Sequence, residues 1–416
     1  MMNTYLYLRP SVYLWKGKDQ WLFYSMDNNR QFLFARNSET DKFLSSLNKF
    51  ANLYCVKVPT DKISEERVSA LLSFVKSNLL GDVVEAKPSE RPVSFPPLPF
   101  FPDNPLKKRD HSNDILEVIQ ELTVHLTGRC SHKCRCCRSI YRQMNFCTSS
   151  KCRLDKEDMV RIGDIIDRID VKKLNVIITE PYDSDLLERL FDKAAMRNTL
   201  CCYSVNWKNI VLGQMTQIHR SCPNVLFKIL IDLEDISEDQ IMSLMSSLFS
   251  FNGSIIYVFV LHKKKDEKML YRIIETTGIE DYEAHYISDG LNDKYLNKNY
   301  FLNKSDLKTL KCSSKEILAN KYINGNLYGK VVISSSGEVS FSENSKSIGR
   351  LDDDIVSALN TKYLSPASPW FLTRERKHKT CGQCCYRYMC PPISDVELYM
   401  KRPSGCERYM SEADHD

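Results

Sequence analysis

The sequence predicts a mixed α/β protein whose largest unit is an open, partial (β/α)6 barrel. Three observations carry that expectation. Strand-like apolar runs alternate with amphipathic helical stretches after residue 119, seven of the 16 prolines crowd into residues 87–105, and the 16 cysteines concentrate around two loops. Alternation of this kind argues for a parallel sheet with crossover helices, and six units are too few to close an eight-fold barrel.

Taken in order, residues 1–86 open with four short runs rich in aromatic and branched residues, Thr4–Leu8, Val12–Trp15, Trp21–Tyr24 and Gln31–Ala35. Turn-like GKD and DNN segments break them, so they predict a small antiparallel sheet. Two helical patterns follow, Ser38–Phe50, with Ser38 and Asp41 spaced as a capping pair, and Ser64–Lys76, with Val68, Leu71, Leu72 and Val75 on one face. Strands first and helices after is the order of a winged-helix-like module. Residues 87–113 predict a stiff linker, because proline at this density propagates neither helix nor sheet.

Residues 114–305 carry the alternation. The strands are expected at Ile119–Thr127, Leu174–Thr179, Leu200–Val205, Leu226–Asp232, Ile255–Leu261 and Ala284–Ile287. Helical patterns at Lys156–Asp170, Ser184–Arg197, Asp235–Phe249 and Asp266–Thr277 separate most of them. Residues 306–416 turn loop-rich and contain the second cysteine group.

The first strand runs into GRCSHKCRCC, which sets Cys130, Cys134 and Cys137 in a C-x3-C-x2-C loop. The carboxyl end of a barrel strand is where such folds place active sites. Three thiolates at this spacing can hold three irons of a 4Fe-4S cluster and leave the fourth open. A zinc site is the competing chemistry and needs a fourth ligand, for which Cys136, His132 or Cys147 is available. In the second group, Cys381, Cys384 and Cys390 form C-x2-C-x5-C and Cys406 follows. Four thiolates within 26 residues signal a metal site, and zinc and iron-sulfur both suit it.

The stretch LTVHLTGRCSHKCRCC resembles the cluster-binding signature of the radical SAM superfamily. The resemblance implies that Cys130, Cys134 and Cys137 hold a 4Fe-4S cluster whose open iron binds S-adenosylmethionine, and that reduction releases a 5'-deoxyadenosyl radical. It also implies a cofactor role for Glu180 and Pro181, the last two residues of the family's Gly-Gly-Glu-Pro motif. Here the motif reads Ile178-Thr179-Glu180-Pro181, and Cys136 replaces the usual aromatic residue before the third cysteine. Two β-branched residues crowd a place where glycines let backbone approach the cofactor.

The C-terminal part resembles the SPASM extension of radical SAM peptide maturases, with KVVISSSGEVSFSENSKSIGR as its hairpin and Gly337 in the turn. Ser342 and Ser394 stand where that resemblance expects cysteines of a first auxiliary cluster. Cys381, Cys384, Cys390 and Cys406 match the set for the other, so one auxiliary 4Fe-4S cluster is expected. In this setting residues 1–86 resemble the element that captures the leader of a ribosomally made precursor peptide. Strand addition at Gln31–Ala35, facing the helix at Glu65–Lys76, is the expected mode. A reductant such as ferredoxin or flavodoxin is the other implied partner. The same C-terminal block resembles pseudo-radical-SAM proteins, which would bind a precursor peptide for a true maturase.

Composition excludes other classes. The net charge of +5 arises from 58 basic and 53 acidic residues without a block of one sign, so no nucleic-acid partner is expected. No stretch approaches the ~18 apolar residues of a membrane span, and the N-terminus lacks a secretory pattern. The expected location is the cytoplasm, where 16 thiols stay reduced.

Overall fold

In the computed structural model, the described residues are 2–97, 118–132, 134–147, 150–363, 365 and 368–401. The N-terminal strands are β1 (Asn3–Leu8), β2 (Val12–Lys16), β3 (Gln20–Ser25), β4 (Arg30–Ala35), β5 (Cys55–Val58) and β6 (Gly81–Ala86). They form two three-stranded antiparallel sheets, β5-β1-β6 and β2-β3-β4, rather than the single sheet the pattern suggested. The short β5 and the late β6 carry no turn-bounded alternation of their own, and β1 recruits both across the chain. Helices Ser38–Leu47 and Glu66–Ser77 close over these sheets, burying Leu44, Leu47, Val68, Leu71 and Val75 with Leu6, Leu14, Trp21 and Phe23.

The first helix is capped differently from the expected Ser38–Asp41 pair. Asn37 is the N-cap and accepts from the Thr40 amide. Asp41 instead takes Trp21 Nε1 at 2.6 Å and the Arg36 guanidinium at 2.6 Å. A carboxylate is worth more to a buried indole N–H and a cation than to a helix end that asparagine already satisfies. The proline-dense stretch begins docked on this unit: Arg91 Nη2 reaches Asn52 O and Cys55 O at 2.5 and 2.6 Å, and the Ser94 amide donates to Leu53 O.

The large sheet comprises β7 (Glu121–His125), β8 (Lys173–Ile178), β9 (Leu200–Asn206), β10 (Leu226–Asp232), β11 (Ile255–Leu261), β12 (Tyr282–Tyr286), β13 (Lys330–Ile333), β14 (Glu338–Ser340) and β15 (Gly349–Arg350). Its order is β12-β11-β10-β9-β8-β7-β13-β14-β15. The stretch from β12 to β13 is parallel and the last two pairings are antiparallel. The six expected strands are all present and in sequential order.

Strand alternation sorts the two faces of this sheet. Leu122, Val124, Leu174, Val176, Phe227, Ile229 and Ile231 pack against Met159, Ile162, Leu187, Leu190, Met215, Ile218, Ile241 and Met269 from the crossover helices. The intervening positions place Glu121, Thr123, His125, Lys173, Asn175, Lys228 and Asp232 on the opposite, polar face. One crossover helix, Leu212–Ser221, escaped the sequence pattern because it has no side-chain cap and buries only Gln214, Met215 and Ile218.

The hairpin β13–β14 turns at Gly337, whose φ of 76° lies in the left-handed region that the turn requires. Beyond the expected hairpin, β13 also pairs with β7, joining the C-terminal part to the main sheet.

Candidate functional site

The cysteine loop leaves the carboxyl end of β7 and re-enters structure as the helix Cys137–Met144. Two threonines fix its start. The Thr179 amide donates to Thr127 Oγ1 at 2.8 Å, and Thr179 Oγ1 donates to Arg129 O at 2.6 Å, both from a residue just beyond β8. The β-branched residue at the glycine position is therefore a strut under the loop, while Ile178 is buried in the helix-facing core.

The structure brings the three loop thiols together with groups from the next strand connections. Cys130 is exposed, and Cys134 and Cys137 are half-buried. Asn209 Nδ2 lies 3.8 Å from Cys130 Sγ, and Lys208 Nζ lies 3.6 Å from Cys134 Sγ and 3.3 Å from Asp235. The Cys134 thiol donates to Cys137, which pushes the Cys134 proton affinity up and holds the Cys137 thiol below its ordinary value. Cys137 also heads a helix, where partial positive charge favours a thiolate.

Cys147 joins the same neighbourhood. Asn145, at φ 52°, ends the helix in a left-handed turn that sends the chain back. Cys147 is buried against Asn206 Nδ2 at 3.6 Å, and burial pushes its thiol up to about 12. Its charge interactions are with Cys134 and Cys130. Of the fourth zinc ligands the sequence allowed, His132 is directed elsewhere, onto Lys208 O at 3.2 Å.

Cys136 belongs to a network that sequence spacing did not reveal. It is buried with its sulfur 4.0 Å from His262 Nδ1, and His262 Nε2 lies 2.9 Å from Asp232 Oδ1. Burial disfavours the charged imidazole, but Asp232 and Cys136 outweigh it and raise His262 to about 10. The three residues are separated by tens of positions in the chain, and only the ends of β10 and β11 unite them.

Glu180 and Pro181 follow β8. Glu180 Oε1 is buried without a hydrogen-bond partner, and Pro181 is exposed. A buried carboxylate oxygen lacking a donor is a costly feature that a bound donor would relieve.

In the second group, Cys381, Cys384 and Cys390 are half-buried and Cys385 is fully buried. Cys406 lies outside the described residues. The Cys384 amide closes a turn on Cys381 O at 3.0 Å, and the positive Arg374 interacts with Cys390 and Cys381. Arg374 is itself fixed by a buried two-bond ion pair with Glu397, at 2.8 and 3.1 Å. Cys312 donates to Met389 O at 3.3 Å within the same core. Ser394 caps the helix Asp395–Met400, and Ser342 is buried with an unpartnered hydroxyl.

No protein-family model matches the chain, and no curated protein matches it. Among solved structures it is similar to Streptococcus suis SuiB bound to precursor peptide SuiA, at 12% identity and a TM-score of 0.49, over 96% of this chain and 98% of that one. SuiB bound to S-adenosylmethionine gives 12% identity and a TM-score of 0.44, over 97% of this chain and 98% of that one. BtrN in complex with AdoMet and 2-DOIA gives 11% identity and a TM-score of 0.30, over 67% of this chain and 94% of that one. The structural neighbours of the chain thus include SuiB, in peptide-bound and S-adenosylmethionine-bound forms, and BtrN.

Proposed function

We propose that the chain is a radical S-adenosylmethionine enzyme that modifies a ribosomally synthesised precursor peptide by hydrogen abstraction. The observation that carries this reading is the joint position of Cys130, Cys134 and Cys137 at the end of β7 and the unsatisfied Glu180 Oε1 at the end of β8. The donor set fits a 4Fe-4S cluster: three thiols, one of them held below its ordinary value by the thiol beside it, with Lys208 and Asn209 offering N–H groups to sulfur. When bound, such a cluster supplies the electron that cleaves S-adenosylmethionine. Glu180 would orient the cofactor's ammonium, and the exposed edge at Cys130 leaves a route for a ferredoxin- or flavodoxin-type reductant.

Within this reading β7–β12 with their helices on one face are the partial barrel of residues 114–305, and β13 extends their sheet from the C-terminal part. Residues 306–416 are the SPASM-like part, with Cys381, Cys384, Cys390 and Cys406 holding one auxiliary 4Fe-4S cluster. Residues 1–86 capture the leader peptide, and residues 87–113 link them to the barrel. A cytoplasmic location belongs to the same reading; the described helices include none long and apolar enough to cross a membrane.

One observation favours a second reading, a non-catalytic partner that binds a precursor peptide for a true maturase. The Thr179 amide, at the position the resemblance gives to a cofactor-facing glycine, is consumed by Thr127. Anaerobically reconstituted, dithionite-reduced protein separates the two: 5'-deoxyadenosine is expected by chromatography, more with precursor peptide, and none from the Cys130→Ala/Cys134→Ala/Cys137→Ala variant. A reducible cluster without cleavage, and without gain from Ile178→Gly/Thr179→Gly, would decide for the partner.

A further inference from the structure

The polar face of the sheet encloses a cavity of about 390 Å³. Its charges are not evenly matched. Lys173 and Lys330 engage Glu121 at 3.3 and 3.6 Å, and Lys228 engages Glu283, so three lysines and two glutamates in the wall are committed to one another. Glu343 and Asp395 are left over. Among the described residues neither has a lysine or arginine partner; Glu343 meets only His125, at 3.5 Å, and Asp395 takes a single amide from Asn344 at 3.3 Å.

The excess acid is starved of water. The Glu343 side chain is 2% exposed and its Oε1 has no hydrogen-bond partner. The neighbouring His125 has its Nε2 at 2.9 Å from the Asn145 amide oxygen, and its Nδ1 is buried and unpartnered. Asp395 is half-buried and lines the cavity. Burial, and then the nearby Glu343, push its carboxyl up to about 7. Lys330, already shared with Glu121, draws it back only in part, and two carboxylates that repel each other in a buried place are unstable as a pair unless a proton or a cation joins them.

The wall also selects the kind of cation. Tyr286, Tyr300, Phe146 and Phe341 line the same space, and aromatic faces favour organic cations. The described side chains that do converge as ligands for an ion are elsewhere, at Cys136, Asp232 and His262 and at Glu234, His262 and Asp289. Ser342 and Ser394, standing where the resemblance expects ligands of an absent cluster, border the cavity.

We propose that this cavity seats an organic cation, an ammonium or guanidinium carried on the substrate, between Glu343 and Asp395. The carrier being a peptide rests on the function proposed above; the cation site does not.

The test is equilibrium binding to the full-length protein of Nα-acetyl-lysine methylamide and Nα-acetyl-arginine methylamide, with the norleucine analogue as neutral control. The expected result is saturable binding of at least one cationic probe, weakened about tenfold or more by Glu343→Gln and by Asp395→Asn, as loss of a charged hydrogen bond implies. Ser342→Lys, which puts an internal ammonium beside Glu343, should abolish it, and serves if the acid variants do not fold. The triple cysteine variant should bind the probe as wild type does, so failure of radical chemistry and failure of the cation site are told apart. Cationic probes that bind no better than norleucine, equal binding to the variants, or uptake of Mn²⁺ alone would overturn the assignment.

Discussion

Asp395 shows how much one side chain can report. Its carboxyl is raised from 3.8 to about 7 by burial and by Glu343. A folded state that holds its proton more tightly than the unfolded chain loses stability as pH climbs from the lower value to the higher. The wild-type protein should therefore lose on the order of a few kcal/mol at this residue between about pH 4 and pH 7. Asp395→Asn should be more stable than wild type at pH 8, with the advantage shrinking toward pH 5, in urea denaturation of both proteins. An advantage independent of pH would show that the carboxyl is not perturbed. Nothing in the sequence around Asp395 announces this, since its partner is Glu343 and the pairing needs the fold. The loop thiols were legible, because Cys130, Cys134 and Cys137 lie within eight residues and no fold can separate them far. Cys147 required the left-handed turn at Asn145, and the contact of Cys136 with His262 required two strands to end at one level.

At the scale of the element, β4 is the informative strand. It pairs with β3 and, among the described residues, with nothing on its other side. The Arg36 amide bonds to Asp19 O in register with the β3–β4 ladder. Alternation then turns the N–H and C=O groups of Gln31, Leu33 and Ala35 toward the free edge. Beside that edge, Phe34 meets Phe74 of the helix Glu66–Ser77 at 5.1 Å. An edge with outward donors next to an aromatic-lined helix is the form that strand addition uses. Leu33→Pro removes one outward donor and spares the ladder to β3, so it should weaken precursor-leader binding to the full chain while the chain still unfolds cooperatively, at a lower temperature because Leu33 also packs on the core shared with the C-terminal part. Unaltered affinity in the folded variant would place the leader elsewhere. Strand identity along the parallel sheet was legible from alternation, whereas β5, β6 and the union of β13 with β7 were not. Those pairings join segments tens to hundreds of residues apart, and local patterning carries no record of a distant partner.

Across the whole molecule, the two ends of the chain share a core. Tyr13, Trp15, Leu22 and Tyr24 from the β2-β3-β4 sheet pack with Leu307, Cys312, Ile317, Cys385, Tyr386, Tyr388 and Met389. Tyr24 Oη donates to Cys312 O and accepts from its amide, both at 2.9 Å, and Arg387 reaches Lys16 O at 2.8 Å. Gly17 lies so close that a Cβ there would meet Cys385 Cβ at 3.0 Å. This has a consequence during synthesis. The aromatic face of β2 and β3 leaves the ribosome first, and residues near Cys385 follow roughly 20 to 70 s later at ordinary elongation rates. For that interval the nascent chain displays Tyr13, Trp15 and Tyr24 to the surrounding water. A chain halted before residue 300 should accordingly bind a hydrophobic dye and draw a chaperone, and the completed chain should not.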